Sequence, residues 1–228
     1  MDIDSVVEEI KEREEERMEE AERLREELSN SSFPGRETGF IQEVSREPGE
    51  DLNVGGVDGG ISQKEFHGVD VYIRRAVAAV FQYSEGSLES SSYIPGKNPS
   101  LETDYFPDNM DRRTAERLAS LLRLEAEISV AETAAEETDL LLLDGSLVPQ
   151  PGDRPSVDSE LFERYEELIE RYRELYSSGK EDARPVGVVE DARSSRICDV
   201  LEEAGLESAV LRNGRDSAFL NFLLEPGE

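Results

Sequence analysis

The chain has 228 residues, of which 54 are acidic and 25 are basic, so its formal net charge at pH 7 is −29. Such a charge normally argues against nucleic acids and anionic membranes as partners. However, the acidity extends along the whole chain, lysine is scarce and tryptophan is absent, which together indicate adaptation to a salt-saturated cytoplasm. At about 1 M salt the Debye length is only about 3 Å, so the net charge does not exclude an anionic partner.

The sequence offers no sign of secretion or of a membrane segment. Its single cysteine, Cys198, excludes an internal disulfide and is consistent with a reducing compartment. No apolar run approaches the roughly 20 residues that a transmembrane helix requires, and the N-terminus is acidic rather than signal-like. We therefore expect a cytoplasmic protein with no membrane partner.

The N-terminal part is predicted to be a helix followed by a linker. Apolar residues recur at helical spacing from Ser5 to about Leu28 within a charged sequence, and Ser5 can cap the helix start. A polar stretch with Pro and Gly then extends to Asp51. This pattern divides the chain into an N-terminal helix and linker, residues 1–51, and a folded domain, residues 52–228.

The domain begins with segments rich in β-branched residues and continues with alternating helices and strands. Strands are predicted at Leu52–Gly60 and Val69–Phe81, joined by a short hairpin connection, and a third is possible at Leu88–Ile94 within a loose region, residues 82–109. A helix at Asp111–Glu137 presents a wide apolar face. The later predicted elements are a strand at Leu140–Asp144, a helix at Asp158–Ser177, a strand at Pro185–Val189, helices at Arg193–Ala204 and Asp216–Leu224, and a possible strand at Ala209–Leu211.

This order of elements predicts an α/β fold. Antiparallel strands followed by α/β units imply a mixed sheet with helices on its faces, and a ribonuclease H-like core fits the order. The four leucines that precede Asp144 indicate a strand that is buried on both faces.

Two of the predicted strands end in an Asp-Gly pair, at Asp58 and at Asp144. Alone, each pair is typical of a turn that closes a strand. On adjacent strands of one sheet, however, the two carboxylates would lie at the same edge. Glu127, beside the apolar stripe of the intervening helix, can reach the same point, whereas Glu125 and Glu132 share another face. Three carboxylates would hold one or two divalent cations such as Mg²⁺ or Mn²⁺, which suits phosphodiester hydrolysis.

Other candidate residues give weaker signals. His67 lies in the predicted hairpin connection and is interpreted as an exposed polar residue. Cys198 has apolar neighbours and no histidine partner, which indicates a buried thiol. Ser146 follows Asp-Gly but lacks the Gly-x-Ser-x-Gly elbow of serine hydrolases.

Four arginines allow two interpretations. Arg74 and Arg75 on the second strand, with Arg193 and Arg196, can line a track for phosphates. Equally, they can be surface arginines that pair with the acidic excess.

Several segments resemble the NurA nuclease family. They are Val57-Asp-Gly-Gly60, Tyr72-Ile-Arg-Arg-Ala-Val-Ala-Ala-Val80, Leu141-Leu-Leu-Asp-Gly-Ser-Leu147, Val186-Gly-Val-Val-Glu-Asp-Ala-Arg-Ser194 and Asp216-Ser-Ala-Phe-Leu-Asn-Phe-Leu-Leu-Glu-Pro-Gly-Glu228. The resemblance extends from about Leu52 to the end of the chain, and the second Asp-Gly motif is its most specific part.

The resemblance implies a ribonuclease H-like, Mn²⁺-dependent nuclease that processes DNA ends in double-strand break repair. It also implies a homodimer that works with a HerA-type translocase. By position, Asp58, Glu127 and Asp144 become the metal-binding and catalytic residues, with Glu125 as the alternative to Glu127. Asp216 matches a family position whose role is less defined.

The chain departs from the family pattern at two points. Glu190 stands where the family usually has a lysine, which removes a phosphate contact. The sequence also stops at Glu228, where family members continue with further active-site residues that include a histidine, so it resembles a shortened, haloarchaeal member. This leaves three hypotheses: a metal-dependent DNA nuclease, a catalytically impaired paralogue that acts as a binding protein, and a ribonuclease H-like domain that acts on RNA.

Overall fold

A computed structural model describes residues 2–30, 51–107, 110–149, 152–178, 183–189, 195–203, 205–206 and 215–224. The chain forms two compact units. The sheet unit comprises Pro48–Val189, and the helical unit combines Met1–Glu47 with Glu190–Glu228. None of the helices in the described ranges has the length and apolarity that a membrane crossing requires.

In its described residues, the sheet unit contains six strands and two helices. Their bounds are β1 Leu52–Phe66, β2 Val69–Ser84, β3 Ser87–Ile94, β4 Glu102–Pro107, α2 Arg112–Ala135, β5 Leu140–Asp144, α3 Phe162–Ser178 and β6 Arg184–Val188. The strands form one sheet in the order β3-β2-β1-β5-β6, with β4 also paired to β2. Strands β1 to β4 pair antiparallel, whereas β5 pairs parallel to both β1 and β6. The predicted mixed α/β sheet is confirmed.

Helix α2 packs on one face of this sheet. Asp111 caps its start by accepting hydrogen bonds from the backbone amides of Arg113 and Thr114, at 3.0 and 3.2 Å. The helix buries an apolar face against β1, β2 and β5, and α3 packs against α2 in turn. The buried side chains of this core include Val57, Tyr72, Ala78, Leu118, Leu121, Leu122, Ile128, Leu141 and Leu168. Every second residue of β1 and β2 therefore faces α2, and the residues between face the other side of the sheet.

The helical unit contains α1 (Ile3–Asn30), α4 (Arg196–Glu203) and α5 (Asp216–Leu223). Only the C-terminal part of α1 is buried, because Leu24 and Leu28 pack in a cluster with residues of α4 and α5. Cys198 lies in the same cluster, which confirms that it is a buried thiol.

The structure corrects three predictions. The loose region contains a further strand, β4, which the sequence pattern does not indicate because Glu102–Pro107 is short and has no clear alternation of polar and apolar residues. Strand β1 continues to Phe66, since residues 61–66 pair with β2, and the hairpin turn is only two residues long. Ser5 does not cap α1, because the helix already begins at Ile3 and the Ser5 hydroxyl donates to the Asp2 carbonyl.

Two further predictions fall outside what the structure describes. The possible strand Ala209–Leu211 lies in undescribed residues, and so does the predicted start of the helix at Arg193.

Candidate metal centre

Asp58 and Asp144 are brought together by parallel strand pairing. Val57 of β1 is the partner of Leu143 of β5, and both side chains are buried in the core. The next residue of each strand is one of the two aspartates, and both aspartates are exposed. The alternation of side chains puts them on the sheet face opposite to α2, at the same level of neighbouring strands about 4.8 Å apart. The predicted pairing of the two Asp-Gly motifs is therefore present in the fold.

The chain leaves β5 through a tight turn that fixes the position of Asp144. Gly145 has a φ angle of +80°, in the left-handed region that favours glycine. Its amide donates to the Val188 carbonyl of β6 at 2.7 Å. Its own carbonyl oxygen lies only 2.7 Å from where a Cβ on Gly187 would stand. Larger residues at 145 or 187 would thus displace this end of β5.

Glu127 lies on α2 and is almost fully buried, with 7% of its surface exposed. Burial raises the pKa of its carboxyl from the ordinary 4.5 to about 7. The Arg123 guanidinium, one helical turn earlier, opposes this rise by donating to Glu127 Oε1 at 2.7 Å. The negative charges of Asp144 and Asp58 raise the pKa further. The three predicted carboxylates therefore interact electrostatically.

A missing side chain in β1 makes room for the glutamate. A Cβ on Gly59 would lie 2.5 Å from Cγ of Glu127 and 2.7 Å from its Oε1, closer than any real contact permits. Glu127 therefore occupies the space that a side chain at position 59 would fill. Gly59 directly follows Asp58, so the Asp-Gly motif supplies both a carboxylate and the gap that admits the second one.

The alternative candidate, Glu125, is fully engaged elsewhere. Its two carboxylate oxygens pair with Arg74 of β2 and Arg164 of α3. Likewise, Glu132 accepts two hydrogen bonds from Arg171 of α3. These glutamates attach α2 to its neighbours, which leaves Glu127 as the glutamate of α2 that interacts with the two aspartates.

The three carboxylates have the chemistry of a divalent-cation site. Oxygen ligands are those that Mg²⁺ and Mn²⁺ prefer. The raised pKa of Glu127 reflects a buried carboxylate close to two further negative charges, and a cation would stabilise all three. Among the described residues, no three carboxylate, imidazole or thiolate groups already have the geometry of a metal site. Asp58 and Asp144 lie on the sheet face opposite to α2, whereas Glu127 lies on α2 against Gly59, so the three carboxylates do not form a preformed ligand cage.

The remaining candidates are separated from this cluster or lie outside the described residues. His67 is exposed in the turn between β1 and β2, as predicted. Glu190 and Arg193 lie in undescribed residues. Asp216 is buried in the helical unit, where its Oδ1 accepts hydrogen bonds from the backbone amides of Ile197 and Cys198. Its observed role is therefore to cap the start of α4.

Sequence reasoning missed two residues that shape the site, Arg123 and Gly59. Arg123 precedes Glu127 by four residues, which is the spacing of ion pairs on a helix, and this signal was available. The role of Gly59 was not, because the glycine and the glutamate that fills its space are 68 positions apart in the chain.

Comparisons with known proteins agree with this fold. The model of the NurA domain matches residues 52–228. The structure of the NurA nuclease from Sulfolobus solfataricus matches with a TM-score of 0.51 at 16% sequence identity, covering 96% of this chain and 65% of that chain. A structure of NurA bound to dAMP and manganese matches with a TM-score of 0.40 at 14% identity, covering 89% of this chain and 46% of that one. No curated protein matches. The chain thus spans 65% of the length of the Sulfolobus structure.

Proposed function

Because the chain belongs to the NurA domain family, we propose that it is a metal-dependent DNA nuclease that hydrolyses phosphodiester bonds at DNA ends. One observation carries this proposal: Glu127 is buried and its pKa is raised to about 7, partly by the charges of Asp144 and Asp58. A buried carboxylate beside two others is costly for a fold unless it serves a site. A role in binding cations accounts for this cost.

We assign the metal to Asp58, Glu127 and Asp144, with Mn²⁺ as the preferred ion and Mg²⁺ as the alternative. A bound divalent ion supplies a Lewis acid and lowers the pKa of the attacking water. The carboxylates bind and orient the cation, and burial of Glu127 excludes water from one side of the site. Arg123 neutralises part of the charge of Glu127 when no cation is bound.

The proposal extends to the partners that the family resemblance implies. These are DNA ends in double-strand break repair, a HerA-type translocase and a second copy of the chain, in the cytoplasm. Helix α1 offers surface for a protein partner, because Ile3, Val7, Ile10 and Met18 have exposed apolar side chains. Gel filtration with light scattering, on the wild type and on Ile10→Glu, tests whether this surface contributes to self-association.

The alternative function is that of a catalytically impaired paralogue that binds partners without cleaving DNA. The ion pair between Arg123 and Glu127 favours it, because this pair compensates the buried carboxylate without a cation. In that case α1 would be the main functional surface of the chain.

Degradation of end-labelled DNA with Mn²⁺ in molar KCl separates the two functions. We expect cleavage by the wild type, abolished by EDTA and lost in Asp144→Ala and Glu127→Gln. Glu170→Gln is the matched control, since Glu170 is exposed on α3 and, among the described residues, pairs with Arg173 alone. A wild-type protein that neither cleaves DNA nor binds Mn²⁺, as followed by electron paramagnetic resonance, would contradict the nuclease and support the paralogue.

A further inference from the structure

Two consecutive arginines of β2 have opposite environments. Arg74 faces α2, where it forms ion pairs with Glu102, Asp104 and Glu125. Arg75 faces the other side of the sheet and is exposed, and its side chain forms no hydrogen bond or ion pair with any residue that the structure describes. The guanidinium of Arg75, unlike that of Arg74, is therefore available for a ligand on its own face of the sheet.

The strand register places Arg75 on the same sheet face as Asp58. Arg75 is the partner of Gly60, and Asp58 is the partner of Val77. Asp58 and Arg75 are thus diagonal neighbours, with Cα atoms about 7 to 8 Å apart. The guanidinium can reach a ligand atom beside the proposed metal site, because long side chains bridge such diagonals.

The surface between these residues is open. Gly56 and Gly60 alternate with Asp58 along β1, and a Cβ on either glycine would meet no atom within 4 Å. Ala79, the partner of Gly56, adds only a methyl group. The glycine backbone of β1, with Ala79 and Val77 beside it on β2, therefore forms a floor with Asp58 above it and Arg75 at one side. Such a floor permits close approach of an extended ligand.

We propose that this floor is the path of a single DNA strand and that Arg75 binds a phosphate next to the one that is cleaved. This role of Arg75 rests on the proposed nuclease function and deepens it. A guanidinium binds a phosphate with two parallel hydrogen bonds and stays charged at every relevant pH. The charges of this face also suit a phosphate. Arg75 is cationic, and a metal ion bound by the two aspartates would add further positive charge. Arg75 is a positioning residue: it holds the strand and takes no part in bond cleavage.

The test compares Arg75→Ala and Arg75→Lys with Arg173→Ala. Arg173 is an exposed arginine of α3, which packs on α2 and therefore lies on the other side of the sheet. We expect Arg75→Ala to raise the KM for Mn²⁺-dependent cleavage of a labelled oligothymidine about tenfold, the effect of losing a charge-assisted contact. The kcat should change much less, and Arg173→Ala should resemble the wild type.

Salt dependence provides a readout that a merely structural role would not change. In an Asp144→Asn background, binding of the same oligothymidine is measured across a KCl series. Removal of one phosphate contact should lower the slope of log K against log salt by about 0.7 for a single strand. Arg75→Lys should restore the slope but only part of the affinity, because a lysine keeps the charge and loses the bidentate geometry.

The outcomes separate this inference from the proposed function. Cleavage by the wild type, with unchanged KM and unchanged salt slope in Arg75→Ala, overturns the role of Arg75 and leaves the nuclease standing. A wild type that neither cleaves nor binds the oligothymidine overturns both. A lower melting temperature of Arg75→Ala with an unchanged salt slope would identify Arg75 as structural and would equally overturn the inference.

Discussion

Helix α2 carries two glutamates, two residues apart, in contrasting surroundings. Glu125 lies between two arginines from neighbouring elements, Arg74 and Arg164, and each of its oxygens has a partner. Glu127 is more deeply buried and has one arginine partner on its own helix, and its pKa is raised by burial and, to a smaller extent, by the charges of Asp144 and Asp58. The surroundings of Glu125 stabilise its charged form, whereas those of Glu127 destabilise the charged form.

We interpret this difference as that between a structural carboxylate, Glu125, and the proposed metal ligand, Glu127. Buried ion pairs that attach one element to another are compensated within the fold, and removal of one partner destabilises it. Groups whose pKa is strongly shifted and that lie close to like charges are concentrated at ligand-binding sites. At such sites the arrangement that function requires lowers the stability of the fold. Glu125 and Glu127 are therefore expected to respond to the same substitution, Glu→Gln, in opposite ways.

The largest expected effect is on catalysis. Glu127→Gln should reduce Mn²⁺-dependent DNA cleavage by about a thousandfold or more, since loss of several kcal/mol of charge stabilisation has this effect on a rate. Glu125→Gln should stay within about tenfold of the wild type, provided that it is assayed well below its melting temperature. Rates of release from end-labelled DNA measure both. Equal losses in the two variants would contradict the distinction.

The next largest effect is on stability, where Glu125→Gln should be more destabilising than Glu127→Gln. Glu125→Gln should lower the free energy of unfolding by about 3 kcal/mol, because the charges of Arg74 and Arg164 lose their common partner inside the protein. Urea denaturation followed by circular dichroism measures it. Glu170→Gln, which removes only an exposed pair, is the control and should lower the stability by less than about 1 kcal/mol.

Gly59→Ala tests whether the space beside Asp58 belongs to Glu127. The added Cβ would overlap Cγ of the glutamate, so we expect a loss of about 2 kcal/mol in stability from overpacking. Binding of Mn²⁺ should also weaken, as measured by electron paramagnetic resonance. Gly60→Ala is the matched control, because its Cβ would meet open space. Equal Mn²⁺ affinities of the two variants would contradict the role given to Gly59.

The smallest effect concerns the metal-free protein and its pH dependence. The pKa of Glu127 is higher in the folded protein, about 7, than its ordinary value of 4.5. The folded chain thus retains a proton that the unfolded chain loses, and this contribution to stability disappears as the pH rises through that window. In EDTA at pH 8, Glu127→Gln should be more stable than the wild type by about 2 kcal/mol, since each pKa unit corresponds to about 1.4 kcal/mol and the lost pair with Arg123 offsets part.

The check is urea denaturation of both proteins in EDTA from pH 4.5 to 8. The difference between them should grow with pH and vanish at the acidic end. A pH-independent difference would show that the substitution acts through packing rather than charge.

Parts of this structure were predictable because they depend on local patterns. The apolar run before Asp144 and the β-branched content of residues 69–81 predict strands, and the Asp-Gly ends predict where two carboxylates leave the sheet. Strand β4 was not predictable in the same way, because it is only six residues long and is a strand by virtue of its pairing with β2. The extension of β1 beyond Gly60 depends on the same partner.

The sequence by itself determined the mixed α/β fold, the approximate positions of most elements and the location of the two aspartates in Asp-Gly pairs on neighbouring strands. These features depend on periodicity and turn chemistry, which act over a few residues. Only the tertiary structure decided which glutamate is compensated, which arginine of the pair at 74 and 75 has no side-chain partner among the described residues, and why Gly59 must be small. Each of these depends on contacts between residues distant in the chain, and burial and charge at such contacts are set by the packing of whole elements.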